Sequence, residues 1–281
     1  MLSTTRKIWI ARYLSAGILF LRGAFGQPSE VRVRRRGLNW LLNLREGIDL
    51  SIYLLGGFEI GTLRRYAQLV KAGDVVLDIG ANCGSHTLPL AQLVGPSGSV
   101  LSFEPTAYAF AKQEVNISLN PALKPRIRSH QMMLVAEASD PLPDSVYSSW
   151  PMEAAEDLHS GHRGRRMSTQ GSLKATLDDF LRGAGITRID FIKLDVDGNE
   201  ADVLLGARGI LASSKPRIML ELAPYVYHDR PGKFDELLRI LRNAGYELSA
   251  SPGGKALPND VGWIRKSIPE GGSLNAWASV R

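Results

Sequence analysis

The sequence predicts an α/β fold built on a doubly wound, mostly parallel seven-stranded sheet. Three observations predict it. Short apolar runs bounded by turn residues alternate with stretches of helical periodicity over most of the chain, the pattern of a parallel sheet covered on both faces. The first of these runs, Val75–Ile79, ends in a glycine-rich turn that opens a helix. Acidic residues stand at the ends of successive runs, where open parallel sheets place their ligands.

Composition narrows the class. The chain has 281 residues, 44% hydrophobic and 22% charged, an ordinary globular balance that excludes a disordered, collagen-like or coiled-coil chain. A single cysteine, Cys83, excludes a disulfide framework and a cysteine-based zinc site. It fits a reducing compartment, and a cytoplasmic location is expected.

The net charge is +6. Residues 1–36 hold eight Lys/Arg against Glu30, a net of +7, which leaves −1 for the rest. A nucleic-acid enzyme would carry its basicity on the body, so no nucleic-acid partner is expected.

The elements follow in order. Ile8–Phe25 is largely apolar but is interrupted by Arg12 and Arg22, leaving a clean run of nine residues from Tyr13 to Leu21. A membrane span needs about 20, and no small-residue cleavage site follows for a secretory signal. The segment reads as a helix packed on the domain. The alternative is an interfacial helix, with Trp9, Tyr13, Leu14, Ile18, Leu19 and Phe20 in a membrane surface and peripheral contact through residues 1–36 at the inner face. Residues 1–56 are assigned to a basic N-terminal extension and 57–281 to the main domain.

Residues 62–70 read as a helix with Leu63, Tyr66, Ala67 and Val70 on one face. Strand 75–80 follows, then a helix ending at Val94 before Gly95-Pro96-Ser97-Gly98. Next come strand 99–104, helix 106–120 and strand 127–135. Residues 138–172 are polar and turn-rich and read as a loop or lid, closing on the basic stretch 159–166. A short helix at 177–181 precedes strand 189–196, helix 200–211, strand 217–223 and helix 234–244. Residues 246–250 and 275–281 are strand-like.

The chemistry concentrates at strand ends. In Asp78-Ile-Gly80-Ala-Asn82-Cys-Gly84, two glycines let the backbone approach a ligand. A dinucleotide fingerprint needs a further glycine where Asn82 stands, and Asp78 would repel a pyrophosphate. Asp78 suits an ammonium or sulfonium instead. Glu104, 26 residues later, can accept both hydroxyls of a ribose. Together they describe a nucleoside with ribose and without phosphate, which S-adenosylmethionine satisfies.

Asp195 and Asp197 would share a face if the strand continued through them. The segment Asp195–Glu200 departs from a calcium-binding loop, and a D-x-D nucleotide-sugar site lacks support from the first two strands. The remaining readings are an acid at the mouth of the site, or a turn in which Asp197 or Asn199 caps the next helix. Glu221 is a carboxylate inside an apolar strand, costly without a role or a partner. His86 heads the first helix of the sheet and can reach the same mouth. No metal site is expected.

The stretches Gly73–Gly84 (GDVVLDIGANCG), Phe103-Glu104-Pro105, Thr176-Leu-Asp-Asp179 and Ile192–Glu200 (IKLDVDGNE) resemble the FkbM-type methyltransferases. These are class I S-adenosylmethionine-dependent enzymes with a Rossmann-like sheet, mostly O-methylating sugar or polyketide hydroxyls. The resemblance runs from about Gly57 to Ala223. It implies that Asp78, Gly80, Asn82 and Gly84 surround the methionine end of the cofactor, that Glu104 holds the ribose, and that the stretch around Ala136 lies near the adenine. Glu59 matches a recurrent acid of the family. Asp195 is the first candidate for a base near the transferred methyl, followed by Glu221 and His86. The alternatives are an NAD-dependent oxidoreductase, a D-x-D glycosyltransferase-like enzyme, and a non-catalytic, membrane-associated module.

Overall fold

The structure, a computed structural model, describes residues 4–148, 164–251, 253–258 and 260–280, with side chains from residue 11 onward. The strands are β1 (Glu30–Arg35), β2 (Leu38–Asn43), β3 (Val75–Ile79), β4 (Ser99–Phe103), β5 (Ile127–His130), β6 (Met132–Leu134), β7 (Ser145–Ser148), β8 (Arg165–Ser168), β9 (Leu173–Ala175), β10 (Phe191–Leu194), β11 (Arg217–Leu222), β12 (Glu247–Ala250) and β13 (Leu274–Ser279). The α-helices are α1 (Thr4–Ala24), α2 (Gly47–Leu55), α3 (Ile60–Leu69), α4 (Thr87–Leu93), α5 (Ala107–Ser118), α6 (Leu177–Gly183), α7 (Glu200–Leu205), α8 (Arg208–Ser213), α9 (Lys233–Asn243) and α10 (Val261–Ser267).

The expected seven-stranded sheet is present, in the order β12-β13-β11-β10-β3-β4-β5. All neighbours are parallel except β13, which runs antiparallel to both β11 and β12. The strand order reverses between β3 and β10, so the switch point lies at their carboxyl ends.

Strand alternation sorts the core into two layers. Leu77, Ile79, Ile192, Leu194, Ile218 and Leu220 pack on one face with α7 and α9. Val76, Val100, Phe191 and Met219 pack on the other, with Tyr66 of α3 and Leu88 of α4. Asp78, in register with Lys193 of β10, belongs to this second face by the same period of two.

Four sequence expectations are corrected. The basic run 31–36, read only as part of a basic N-terminal extension, holds a strand, Glu30–Arg35, paired antiparallel with Leu38–Asn43. Leu38, Trp40 and Leu42 are buried in the second core layer, which therefore continues across residue 56. The expected strand 127–135 is two strands. Its second half, Met132–Leu134, leaves the central sheet and pairs with β9. The region 138–172 is no plain loop, because β7 and β8 pair antiparallel at its two ends; His159 and His162 lie outside the described residues. The helix 200–211 is broken into α7 and α8 at Gly206, where a Cβ would sit 2.2 Å from the Val135 carbonyl oxygen.

Helix α1 meets α2 and is anchored by Ser15, whose hydroxyl donates to the Leu44 carbonyl at 2.8 Å. Among the described residues, no helix is long and apolar enough to cross a membrane.

Candidate active site

A cavity of about 300 Å³ opens at the switch point, within the size range of small-ligand sites. Its walls come from the carboxyl ends of β3, β4, β10 and β11, the α2–α3 connection and the β7 strand.

The β3 turn is built for close approach. Gly80 has φ +80°, and a Cβ there would stand 1.8 Å from the Asp195 carbonyl oxygen, so only glycine fits. Asn82 takes the left-handed conformation, φ 48°. Its own side-chain oxygen accepts from the Cys83 N–H at 2.8 Å, and its backbone N–H donates to Glu104 Oε2 at 2.9 Å. Glu104 Oε1 accepts from the Thr106 N–H at 2.9 Å and hydroxyl at 2.6 Å. Three protein donors fix this buried carboxylate, and Oε2, with one of them, keeps capacity toward the cavity. Burial pushes the Glu104 carboxyl above its usual range, while the Thr106 and Asn82 hydrogen bonds pull it back down.

The floor is acidic around one lysine. Lys193 is buried in β10, and its Nζ donates to the Gly80 carbonyl at 2.6 Å. The same Nζ lies 3.5 Å from Asp78 Oδ1 and 3.5 Å from Asp195 Oδ2. Burial alone would lower the Lys193 ammonium's pKa. Asp195, Asp78, Glu59 and Glu104 outweigh it and raise the value, keeping the charge. Desolvation in the cavity wall raises Glu59, Asp197 and Glu221 in turn. The Asp195 carboxylate adds to all three.

His86 is buried at the start of α4. Its Nδ1 lies 3.0 Å from the Tyr66 hydroxyl, and its Nε2, without a hydrogen-bond partner, lies 4.0 Å from Glu59 Oε2. Burial, then the Lys193 charge, holds its pKa well below the usual value, so the ring is neutral at physiological pH. Glu59 has φ 50° and accepts from Asn275 Nδ2 at 3.0 Å, which ties the α2–α3 connection to β13.

Seven of the sequence candidates line the cavity: Glu59, Gly80, Asn82, His86, Glu104, Asp195 and Glu221. Three do not. Asp78 lies one layer below, accepting from the Thr87 hydroxyl at 2.6 Å; its position in the strand turns it to the helix layer. Gly84 faces Gln113 of α5. Ala136 lies past the wall that Met132, Met133 and Leu134 form beside Phe103 and Glu104.

The Asp195–Glu200 turn also differs from its expectation. The strand ends at Leu194, Asp197 turns left-handed with φ 48°, and Asn199 makes no side-chain cap. Glu200 instead fixes the turn before the helix: its carboxylate accepts from the Val196 and Gly198 N–H groups, each at 3.1 Å, and from the Tyr227 hydroxyl.

Sequence reasoning missed Lys193, although a lysine inside the apolar run Phe191–Leu194 is a visible anomaly. It also missed Tyr147 and Ser148, which reach the cavity from β7. Tyr66 read only as part of an apolar helix face.

Residues 78–248, more than half of the chain, match the family profile described as the Methyltransferase FkbM domain. The chain belongs to the FkbM methyltransferase family. This is a family of S-adenosylmethionine-dependent methyltransferases, and the sheet is the class I sheet with its single antiparallel strand inserted beside the last parallel one.

The AMB antimetabolite synthetase AmbE of Pseudomonas aeruginosa is 29% identical over 217 residues, 62% of this chain. The chain spans only 10% of that protein's length. The 31-O-demethyl-FK506 methyltransferase FkbM of Streptomyces tacrolimicus is 28% identical, over 66% of this chain and 77% of its own. The 2-O-methyltransferase NoeI of Sinorhizobium fredii is 28% identical, over 61% and 77%. Among solved structures, a methyltransferase FkbM from Methylobacillus flagellatus aligns with TM-score 0.44 at 15% identity, over 77% of this chain and 50% of that one.

The cavity fits S-adenosylmethionine on its own chemistry. Excess negative charge on the floor suits a ligand with a sulfonium and an ammonium. The Glu104 carboxylate, preset by three donors, suits a diol. Phe103, Met132 and Leu134 provide an apolar wall next to it for a base.

Proposed function

We propose that this methyltransferase transfers a methyl group to a hydroxyl oxygen of a sugar, glycan, glycolipid or related secondary metabolite, with Asp195 as the general base. The carrying observation is the position of Asp195. Its side chain is 30% exposed at the cavity, while Lys193 holds it from behind at 3.5 Å. Two of the other acids facing this space are less suited. Glu221 and Asp197 are driven toward their protonated forms by desolvation and by the neighbouring Asp195 charge. Neutral His86, which also lines the cavity, stands second. Transfer to oxygen is supported by the names of two relatives, an O-demethyl-FK506 methyltransferase and a 2-O-methyltransferase.

The cofactor, when bound, supplies the electrophilic methyl and a neutral thioether leaving group. The protein's part is to hold the reactants in line and exclude water. Glu104 would accept the ribose hydroxyls. Glu59, Asp195 and Glu221 would face the cationic end. Asp195 would then receive the acceptor's hydroxyl proton as the oxygen attacks.

The test is transfer of labelled methyl to a panel of glycans and polyols, with S-adenosylhomocysteine binding measured in parallel. Asp195→Asn should keep binding measurable and lower turnover by roughly 10²- to 10⁴-fold. Unchanged turnover would remove Asp195 as the base. Cofactor binding without transfer to any hydroxyl acceptor would favour the non-catalytic reading.

A further inference from the structure

We propose that α1, the carboxyl end of α2 and the β1–β2 hairpin form a docking surface for an anionic lipid bilayer. The observation is that the outward face of α1, over its described side chains from Ala11 to Ala24, carries no charged residue and is apolar apart from the Tyr13 hydroxyl. Ala11, Arg12, Ser15, Ile18, Leu19 and Arg22 are turned toward the body and partly or fully buried. Arg22 Nε donates to the Pro28 carbonyl at 3.0 Å. The opposite stripe carries Leu14, Gly17, Phe20, Leu21 and Ala24, all exposed, and Phe25 follows at 81% exposure. Soluble helices show the reverse arrangement, with charge outward. An exposed apolar stripe of this kind marks an interaction surface.

The patch continues onto α2, on which α1 packs. Leu54 and Leu55 at its end are exposed as well. Arginines border them directly. Arg35 Nε donates to the Tyr53 carbonyl at 2.8 Å, and the Arg36 side chain lies over Gly56, where a Cβ would meet its Nε at 3.2 Å. Arg32 and Arg34 alternate outward along β1.

Charge decides the occupant. Arg32, Arg34, Arg35 and Arg36 border the patch against the single acid Glu30, so a second copy docked through this face would bring like charge against like charge. An anionic leaflet attracts it, at about 1 kcal/mol per basic residue near the surface. The apolar stripe then inserts at the headgroup boundary, as an interfacial helix does. Docking would also place the active site at the surface: α2 carries Leu55 at one end and Ile48, in the cavity wall, at the other, about 10 Å away at 1.5 Å per residue.

The experiment is co-sedimentation of the full chain with vesicles of phosphatidylcholine alone and of phosphatidylcholine with phosphatidylglycerol, alongside light scattering. The protein should sediment with the anionic vesicles at least tenfold more strongly than with the neutral ones, and 0.5 M salt should weaken this. The surface double variant Phe20→Glu/Leu21→Glu should lose tenfold or more of that binding while its S-adenosylhomocysteine affinity is unchanged. Equal vesicle binding by the variant would overturn the proposal. So would the absence of vesicle binding, and self-association abolished by the same variant would identify the face as a contact between copies. None of these readouts depends on the acceptor or on methyl transfer.

Discussion

Lys193 stands with its ammonium between two carboxylates, Asp78 below and Asp195 at the cavity, and donates to the turn that carries Gly80. Removing one partner of such a buried set leaves uncompensated charge, a cost of about 3–5 kcal/mol. Lys193→Met should therefore lower unfolding stability by that order in a denaturant titration. Adding Asp78→Asn should recover part of the loss, giving a coupling of 1 kcal/mol or more in the double-mutant cycle. Strict additivity would mean that the pair does not interact. The acids Asp78, Glu104, Asp195 and Glu221 were legible because strand ends are the favoured site positions of the fold. Lys193 was not, because its role exists only once β3 and β10 lie side by side.

At the scale of elements, the Thr176–Asp179 block has a structural explanation. The Thr176 side-chain oxygen accepts from the Asp179 N–H at 3.1 Å and caps α6. Asp178 reaches across to α8, accepting from the Gly209 N–H at 2.6 Å and the Ile210 N–H at 2.9 Å. Asp178→Ala should cost about 0.5–2 kcal/mol of thermal stability and leave S-adenosylhomocysteine affinity intact; a loss of affinity with unchanged melting would contradict the assignment.

A second link joins α2 to α5. Lys112 Nζ sits 2.5 Å from Asp49 Oδ2 and 2.7 Å from Glu46 Oε2. Burial lifts Asp49 to about 6, against the pull of Lys112. Because the folded-state value is raised, ionised Asp49 costs stability increasingly as pH rises from about 4 through 6, and Lys112 compensates that charge. Lys112→Met should thus be most destabilising above pH 6, with the difference from the native protein shrinking on acidification. A pH-independent difference in melting would refute this.

The alternating elements themselves were readable from turn residues and apolar runs. The β1–β2 hairpin was not, since the arginines of Val31–Arg36 read as a charge run although Val31 and Val33 keep a period of two. The departure of Met132–Leu134 to β9 depends on a pairing partner about 40 residues away.

For the whole molecule, seven strands in one order bring Gly80, Glu104, Asp195 and Glu221 from four strand ends into one cavity. The same topology packs the basic hairpin onto the second core layer and sets α1 beside α2. The sequence showed the charge segregation but not that α1 turns Arg12 and Arg22 inward, because helical facing depends on the body it packs against.

The central claim is that this cavity holds S-adenosylmethionine through Glu104. Titration calorimetry of S-adenosylhomocysteine into the native chain and Glu104→Ala tests it most directly. One site per chain is expected, with affinity falling about 10- to 100-fold in the variant as the ribose loses a charged acceptor. Binding of equal strength in a folded Glu104→Ala protein, or no binding to the native chain, would contradict it.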